Sequence, residues 1–567
     1  MNTLTLLTIS LAILIIGYRY YGSWLINQWG MDDMAEQMPS HSRTDGVDYT
    51  PTKTPLLLGH HLASIAGPWA ISGPVVAALF GWLPAVIWIV LGGIFLGGVL
   101  DLGALLASVR HQGRSMMEII SAGLSRRGKV LFGLFAYLTL IMAMASLISM
   151  VADSFSAQYS NAGVLNLAIS NTNASVAMIS LLLTACAALL GVLMHRLDLS
   201  MKAVLMLGIF FIGLCLTVGM NYHPLYFSRG IWLVILAIYL MLAATAPVWI
   251  LLQPRDFLNA LLLGAIFFIA LLGIIVVHPD IDLKLFPAVS SLAVDTDQGR
   301  QYLFPVLFTT ITCGAVSGFH ALVSSGTTAK QLDKVQDAKP IAYGGMLLES
   351  GLALLMVCAI ASARSSGHTK HVTDMFAGGF ASMLASIQLL ASSQTVIYAL
   401  LALAFSILCL TTLDTATRLG RYIFQELWLA PGQELADVKS GWQRLMVQPY
   451  IATLITVGLA TLLGANDYEK IWTLFGATNQ LLATLSLLAV YIWLGRRRKS
   501  NRMCIFPMVF LGSMTLGSLG VTVQNQLSII AGGQADGWAY TQAGLTGLLI
   551  VFALFILAEI IRTLRSN

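Results

Sequence analysis

The chain is 567 residues long, 57% hydrophobic and only 10% charged, with a mean hydropathy of +0.80. Soluble domains carry about 25% charged residues, so the composition excludes a soluble enzyme or signalling module and indicates an all-α polytopic membrane protein whose first partner is the lipid bilayer. The net charge of +5 reflects basic residues at the membrane faces and points to no nucleic acid.

A helix needs roughly 20 mostly apolar residues to cross the hydrocarbon. Taken in chain order, such runs predict about 15 transmembrane helices, near 4–27, 55–80, 83–108, 129–152, 175–194, 202–220, 230–252, 257–278, 303–325, 341–363, 394–416, 446–464, 471–494, 503–523 and 541–561. The first has no basic residue before it and no small-x-small cleavage site after it, so it reads as a retained span and not as a signal peptide. Met375 to Leu390 is a shorter apolar run, read as an interfacial or re-entrant helix or as a further span. With the N-terminus outside, Arg229, Lys284, Arg300, Arg364, Lys370 and Lys470 fall in outer loops and Arg19 lies within the first span. Every other one of the 31 basic residues then falls inside, as the positive-inside rule requires. The six cysteines occur singly, form no CxxC, and read as small buried apolar residues.

Two spans interrupt themselves. One carries Gly59-His60-His61-Leu62-Ala63-Ser64-Ile65-Ala66-Gly67-Pro68 followed by Trp69 and Ser72-Gly73-Pro74, and the other carries Ala243-Ala244-Thr245-Ala246-Pro247-Val248-Trp249. A broken hydrogen-bond ladder is tolerated at membrane depth only inside protein or along a cavity, and paired breaks point to the binding site of a secondary transporter. Counting spans two to eleven as ten core helices makes 55–80 the first and 230–252 the sixth. Five helices separate them, and an odd repeat inverts. The expected fold is therefore a LeuT-like five-plus-five inverted repeat with discontinuous first and sixth core helices. Its parts would be an extra span and loop at 1–54, repeats at 55–220 and 230–416, a cytoplasmic loop at 417–445 and accessory spans at 446–567.

Ionisable residues within spans are costly and by default functional. His60, His61, Asp101, His320, Glu349 and Asp414 make up that set. His60 and His61 precede the first break, where an imidazole titrating near neutral pH can shuttle a proton. His61→Ala is accordingly expected to abolish proton-driven uptake. Asp101, His320 and Glu349 are further candidates for carrying the coupling ion, against a structural reading as buried partners. Asp414 stands four residues before Arg418, and an i,i+4 pair is the reading its spacing favours. A third interruption, Cys313-Gly314-Ala315-Val316-Ser317-Gly318, runs on into Ser324-Ser325-Gly326-Thr327-Thr328, a hydroxyl-rich stretch compatible with sodium. Half-helix N-termini attract carboxylates, so Ser64, Gly67, Pro68, Ser72, Gly73, Thr245, Pro247, Ser317, Gly318 and Asn479 are the expected substrate-binding positions.

Several segments together resemble the carbon starvation protein A (CstA) family. They are Asp45-Gly46-Val47-Asp48-Tyr49-Thr50-Pro51-Thr52, Gly59-His60-His61 with Ile65-Ala66-Gly67-Pro68, and Pro247-Val248-Trp249 through Pro254-Arg255-Asp256. Ser317-Gly318-Phe319-His320-Ala321 through Ser325-Gly326-Thr327-Thr328, Gly344 through Ser350, Asp414-Thr415-Ala416-Thr417-Arg418, and Trp472 through Ala483 complete them. The resemblance spans most of the chain. It implies an inner-membrane carrier of the amino acid–polyamine–organocation superfamily, taking up peptides or pyruvate under nutrient limitation, with proton coupling in the pyruvate case. One departure stands in the first break, where Trp69 follows Gly67-Pro68 in place of a glycine and narrows the pocket.

The expected function is symport of a small carboxylate or peptide with a proton, without enzymatic activity or cofactor and with no oligomeric state specified. A sodium-coupled symporter is the nearest alternative. A haem or copper oxidoreductase using His60, His61 and His320 is disfavoured, because adjacent residues of a helix point about 100° apart. A starvation sensor without transport is disfavoured, because the longest expected inner loop, about Thr417 to Leu445, does not look like a soluble signalling domain.

Overall fold

The computed structural model describes residues 2–30, 38–77, 80–123, 126–159, 163–197, 199–281, 287–296, 299–362, 372–385, 387, 394–430, 433, 437–438, 441–465, 468–533 and 537–566. Long apolar runs fold as helices because hydrocarbon offers backbone groups no other partner. In chain order the main elements are α1 (Thr3–Trp29), α2 (Thr54–Ile65), α3 (Trp69–Ala77), α4 (Trp82–Arg110), α5 (Arg126–Phe155), α6 (Leu167–Leu197), α7 (Met201–Asn221), α8 (Arg229–Thr245) and α9 (Leu252–Val277). A short antiparallel hairpin, β1 (Ala293–Thr296) and β2 (Gly299–Tyr302), leads into α10 (303–310) and α11 (318–331). Then follow α12 (Gly344–Ser362), α13 (Val372–Ala385), α14 (Gln394–Leu427), α15 (Gly441–Met446), α16 (Pro449–Gly464), α17 (Tyr468–Arg496), α18 (Ile505–Ala531) and α19 (Gly537–Ser566).

The chain is a multi-pass membrane protein. Among the described residues 11 unbroken helices are long and apolar enough to cross a bilayer. Of the remaining expected spans, two are the interrupted pairs α2–α3 and α10–α11, and two are the shorter apolar helices α8 and α16. Lys284, Arg364, Lys370 and Lys439 of the charge argument, and most of 386–393, lie outside the described residues.

The first break lies where the sequence puts it, at Ala66-Gly67-Pro68 between α2 and α3. The second differs. Ala243–Trp249 is not an interruption within one span but the turn joining α8 to α9. Pro247 forces Ala246 into extended backbone (ψ 151°) and has no N–H to continue the ladder. The freed carbonyls of Ala243 and Ala246 accept from the Arg418 guanidinium. Val248 N–H and the Trp249 indole N–H donate to Val47 and Gly46 carbonyls in the loop before α2. The break that faces the first is instead the stretch 311–317 between α10 and α11, where Gly73 sits directly on the backbone of Thr310 and Ile311.

Packing is organised around α5 and α14, which lie against each other. α5 also packs on α16 and α17, while α14 packs on α8 and α9. Of the two interrupted pairs, α2 lies on α9 and α3 on α12, while α10 lies on α17 and α11 on α17 and α4. α6 and α7 pack on each other and on α9, and α6 also touches α5 and α14. α14 continues to Leu427, past the expected end at 416, so helix occupies the first part of the expected 417–445 loop.

Residues expected on one membrane face do meet. Asp48 accepts from Arg418 at 2.6 Å and Arg421 at 3.5 Å, and the Lys330 ammonium lies 3.8 Å from the Tyr422 ring centroid. The i,i+4 pair expected between Asp414 and Arg418 does not form. Asp414 pairs across the bundle with Arg255, and Arg418 turns to Asp48, because the two side chains point from α14 to different neighbours. Burial alone would raise the Asp48 carboxyl, but Arg418, Lys330 and Arg421 outweigh it and hold it at about 2. A depressed carboxyl stabilises the fold above its unfolded value near 4. That contribution is lost only as the pH falls through about 2, so this tie stays closed across the physiological range. Asp48→Asn takes the counter-charge from two buried guanidiniums, while Arg418 keeps its carbonyl partners, and is expected to cost about 2–4 kcal/mol, somewhat less than breaking a fully buried pair. An unchanged thermal unfolding midpoint of the purified variant would contradict that role.

Candidate substrate and proton site

The site begins with how the two breaks are satisfied. At the start of α11, Phe319 N–H donates to Asn479 Oδ1 at 2.8 Å and Asn479 Nδ2 donates to Ser317 Oγ at 3.0 Å. Neighbouring Gln480 donates to the Phe308 carbonyl at the end of α10, and the Trp88 indole donates to Ile311 O at 3.0 Å. Thus α17 and α4 supply the partners that the interrupted ladder loses. Gly318 has no room for a side chain, since a Cβ there would lie 2.5 Å from the Ala483 nitrogen and the Asn479 carbonyl. Asn479→Ala would orphan a buried N–H and is expected to cost about 1–3 kcal/mol. Thermal unfolding checks the loss, and Asn479→Asp, which keeps the acceptor, should recover part of it.

At the other break the Trp69 ring folds back over Gly67, whose Cβ would come within 2.8 Å of it. The ring stacks on Phe475 at 4.7 Å between centroids and meets Phe319 at 5.7 Å and Trp472 at 6.1 Å. Trp69 is 1% exposed, and its indole N–H, Ser72 Oγ and nearby Thr412 Oγ1 are buried without hydrogen-bond partners among the described residues. An aromatic lid with three free polar atoms therefore covers the N-terminal end of α3. That end carries the partial positive charge of a helix start.

Two residues past Gly318, His320 meets two acids. Its Nδ1 lies 3.1 Å from Asp101 Oδ2 on α4, and its Nε2 lies 3.3 Å from Glu349 Oε2 on α12. All three side chains are fully buried. The Glu349 contact is within ion-pair range but poorly aligned, so both Glu349 oxygens, His320 Nε2 and Asp101 Oδ1 lack hydrogen-bond partners among the described residues. Two carboxylates share one imidazole. With the acids ionised, even an imidazolium leaves one negative charge uncompensated, and an uncompensated charge in a low-dielectric interior is costly. One proton or one cation removes it.

A second buried pair lies beside the first break. His60 Nδ1 contacts Asp256 Oδ2 at 2.5 Å, while His61 Nδ1 meets the Thr328 hydroxyl at 2.9 Å and its ring fills the space over Gly345. Ser64 and Thr415 hydroxyls bond each other at 3.0 Å.

The sequence-predicted positions thus divide. Asp101, His320 and Glu349 come together. Gly67, Pro68, Ser72 and Gly73 gather at the first break, and Ser317, Gly318 and Asn479 at the second, where Asn479 is spent on the backbone. Thr245 and Pro247 stand apart, at the α8–α9 turn, with the Thr245 hydroxyl bonded back to Met241 O. Asp256, Thr412 and Phe475 also stand at these places and are not among the sequence-predicted candidates. For Asp256 the signal was present: it immediately precedes the long apolar run of α9, so it belonged to the helix start and not to a loop.

The family model described as "Carbon starvation protein CstA" matches residues 2–372 and 361–518. A peptide transporter CstA of Bacillus subtilis is 25% identical over 99% of this chain and 97% of its own length, and one of Escherichia coli is 28% identical over 91% and 80%. The pyruvate/proton symporter BtsT of Escherichia coli is 34% identical over 63% of this chain and 49% of its own length. Among solved structures, a point mutant of a manganese transporter of Eremococcus coleocola superposes with a TM-score of 0.50 at 14% identity, covering 92% of this chain and 98% of that one. At that identity the likeness concerns the fold alone.

Proposed function

The chain belongs to the carbon starvation protein CstA family, and from that premise we propose that it is a secondary-active symporter carrying a small carboxylate of pyruvate's class together with a proton. The observation that carries this reading is the buried Asp101–His320–Glu349 cluster, two acids on one imidazole, set two residues from a helix break. A proton on the cluster cancels its excess charge. The substrate carboxylate binds at the α3 N-terminus, with Ser72, Thr412 and the Trp69 indole N–H as free donors. Proton and anion then favour each other electrostatically, and the coupling is reciprocal. We assign the proton to His320 and its acids and not to His61, because His61 meets only a hydroxyl. The cargo is small because stacked aromatic rings fill the break. A peptide, the cargo in the names of several relatives, needs the lid to move.

The fold in this reading is a five-plus-five inverted repeat with different members from those counted along the sequence. α2–α3, α4, α5, α8 and α9 form the first repeat, and α10–α11, α12, α14, α16 and α17 the second. Matched neighbours support it: α5 against α14, α8 against α16, α2 on α9 as α10 on α17. α6 and α7 are then an insertion, α1, α18 and α19 are accessory, and the spans number 15. The N-terminus lies outside and the C-terminus inside a bacterial inner membrane, on the basic-residue asymmetry.

The test is uptake of labelled pyruvate and of a labelled dipeptide into proteoliposomes, with proton and sodium gradients imposed separately. Accumulation of pyruvate on a proton gradient alone is the expected result. A strict sodium requirement, or uptake of the dipeptide alone, would contradict the proposal.

A further inference from the structure

Cys313 lies beside the acid–histidine cluster and takes no part in its pairings. It stands in the 311–317 break, fully buried, and among the described residues its hydrogen bonds are long ones with Thr312 (3.8 Å) and Ser317 (3.5 Å). Its Sγ, a ring nitrogen of His320 and a carboxylate oxygen of Glu349 all lie within 4.8 Å of one another. Three further observations bear on what this grouping can hold. Both Glu349 oxygens and His320 Nε2 are buried without hydrogen-bond partners among the described residues, and only a misaligned 3.3 Å contact joins Nε2 to Oε2, so their lone pairs are open to a ligand. Asp101 holds the other imidazole nitrogen at 3.1 Å, which fixes the ring and turns Nε2 inward. A carboxylate behind a histidine is the outer-shell arrangement that orients metal-ligating imidazoles. The ligand types are mixed as well: thiolate, imidazole and carboxylate suit a borderline ion of the zinc class, not magnesium or calcium.

We propose that Cys313, His320 and Glu349 form a binding site for a borderline transition-metal cation such as Zn²⁺, with Asp101 as the positioning residue behind His320. Bond lengths of about 2.0–2.3 Å require the three donors to draw together by about 1 Å, which side-chain rotation supplies. The ion displaces the thiol proton and any proton on the cluster, and its charge takes over the neutralising role that the proton has in symport. Three protein ligands leave a fourth position open. The metal also joins α11, the 311–317 break and α12, so a loaded carrier is locked and uptake stops. Binding itself stands apart from the symport reading; only the block of uptake rests on it.

Purified protein titrated with Co²⁺ tests this directly. The wild type should take up one ion per chain with a thiolate-to-cobalt charge-transfer band that Zn²⁺ removes. Cys313→Ser should lack the band while keeping proton-driven uptake, and that uptake should no longer be inhibited by Zn²⁺. Cys186→Ser, in a helix remote from the cluster, should behave as the wild type. Asp101→Asn should bind about 10–100-fold more weakly. Absence of the band in the wild type, or its persistence in Cys313→Ser, overturns the metal site. Loss of proton coupling with the band intact in the wild type would instead count against the symport reading alone.

Discussion

Glu349→Gln should abolish proton-driven accumulation of pyruvate while leaving exchange of internal for external pyruvate in place. Glutamine has the shape of a protonated glutamate and cannot give the proton up. Glu349 is buried and neither of its oxygens is hydrogen-bonded among the described residues, so the substitution weakens the 3.3 Å contact to His320 without breaking a hydrogen bond, and the protein should fold. In the proposed symport cycle the net outward step of the empty carrier needs the cluster to release its proton, whereas exchange does not. For one proton per substrate the accumulation ratio can reach the imposed proton ratio, so on a gradient of about one to two pH units accumulation should fall about 10–100-fold, to equilibration. His320→Ala should lose accumulation too, and with greater harm to stability, because it leaves Asp101 and Glu349 facing each other without the imidazole. Undiminished accumulation in Glu349→Gln would remove the cluster from the mechanism.

Trp69→Ala should change what is carried. The ring is 1% exposed, stacked on Phe475 and edged by Phe319. Its removal leaves a void at the break between α2 and α3, and large-to-alanine changes of this kind cost about 3–5 kcal/mol. The same void makes room above the α3 N-terminus. Inhibition of labelled pyruvate uptake by unlabelled carboxylates and dipeptides of increasing size measures the effect. The wild type should be inhibited by the smallest only, and Trp69→Ala should shift the ratio toward dipeptides by about tenfold or more, the scale on which pocket size discriminates. Trp69→Phe keeps a ring in the stack and should stay close to the wild type. A size profile identical in Trp69→Ala would show that the ring does not bound the pocket.

How far the sequence reveals this site depends on the kind of feature. The first break is legible because Gly67-Pro68 interrupts an apolar run that has no other reason to stop. Pro247 misleads because a proline ends a helix equally well at a surface turn, and residue order carries no depth. The 311–317 interruption was visible, yet that it faces the first break was not, because several equally apolar spans separate the two in sequence. Asp101, His320 and Glu349 each stand out as ionisable residues in oil. Their meeting does not, since three helices distant in sequence must pack before their side chains converge. Asp414 and Arg418 show the converse: correct spacing for a local pair, overridden when Arg255 and Asp48 offer better partners across the bundle. Asn479 was legible as a polar residue in a span, but its use as a backbone cap depends on a break in another helix.

The central claim is that substrate and proton cross together. The most direct measurement is the internal pH of proteoliposomes, reported by a trapped dye, when pyruvate is added outside with no imposed proton or sodium gradient. The account predicts acidification of the lumen that requires pyruvate, proceeds without sodium and is absent in Glu349→Gln. Pyruvate entry with no change in internal pH would contradict it.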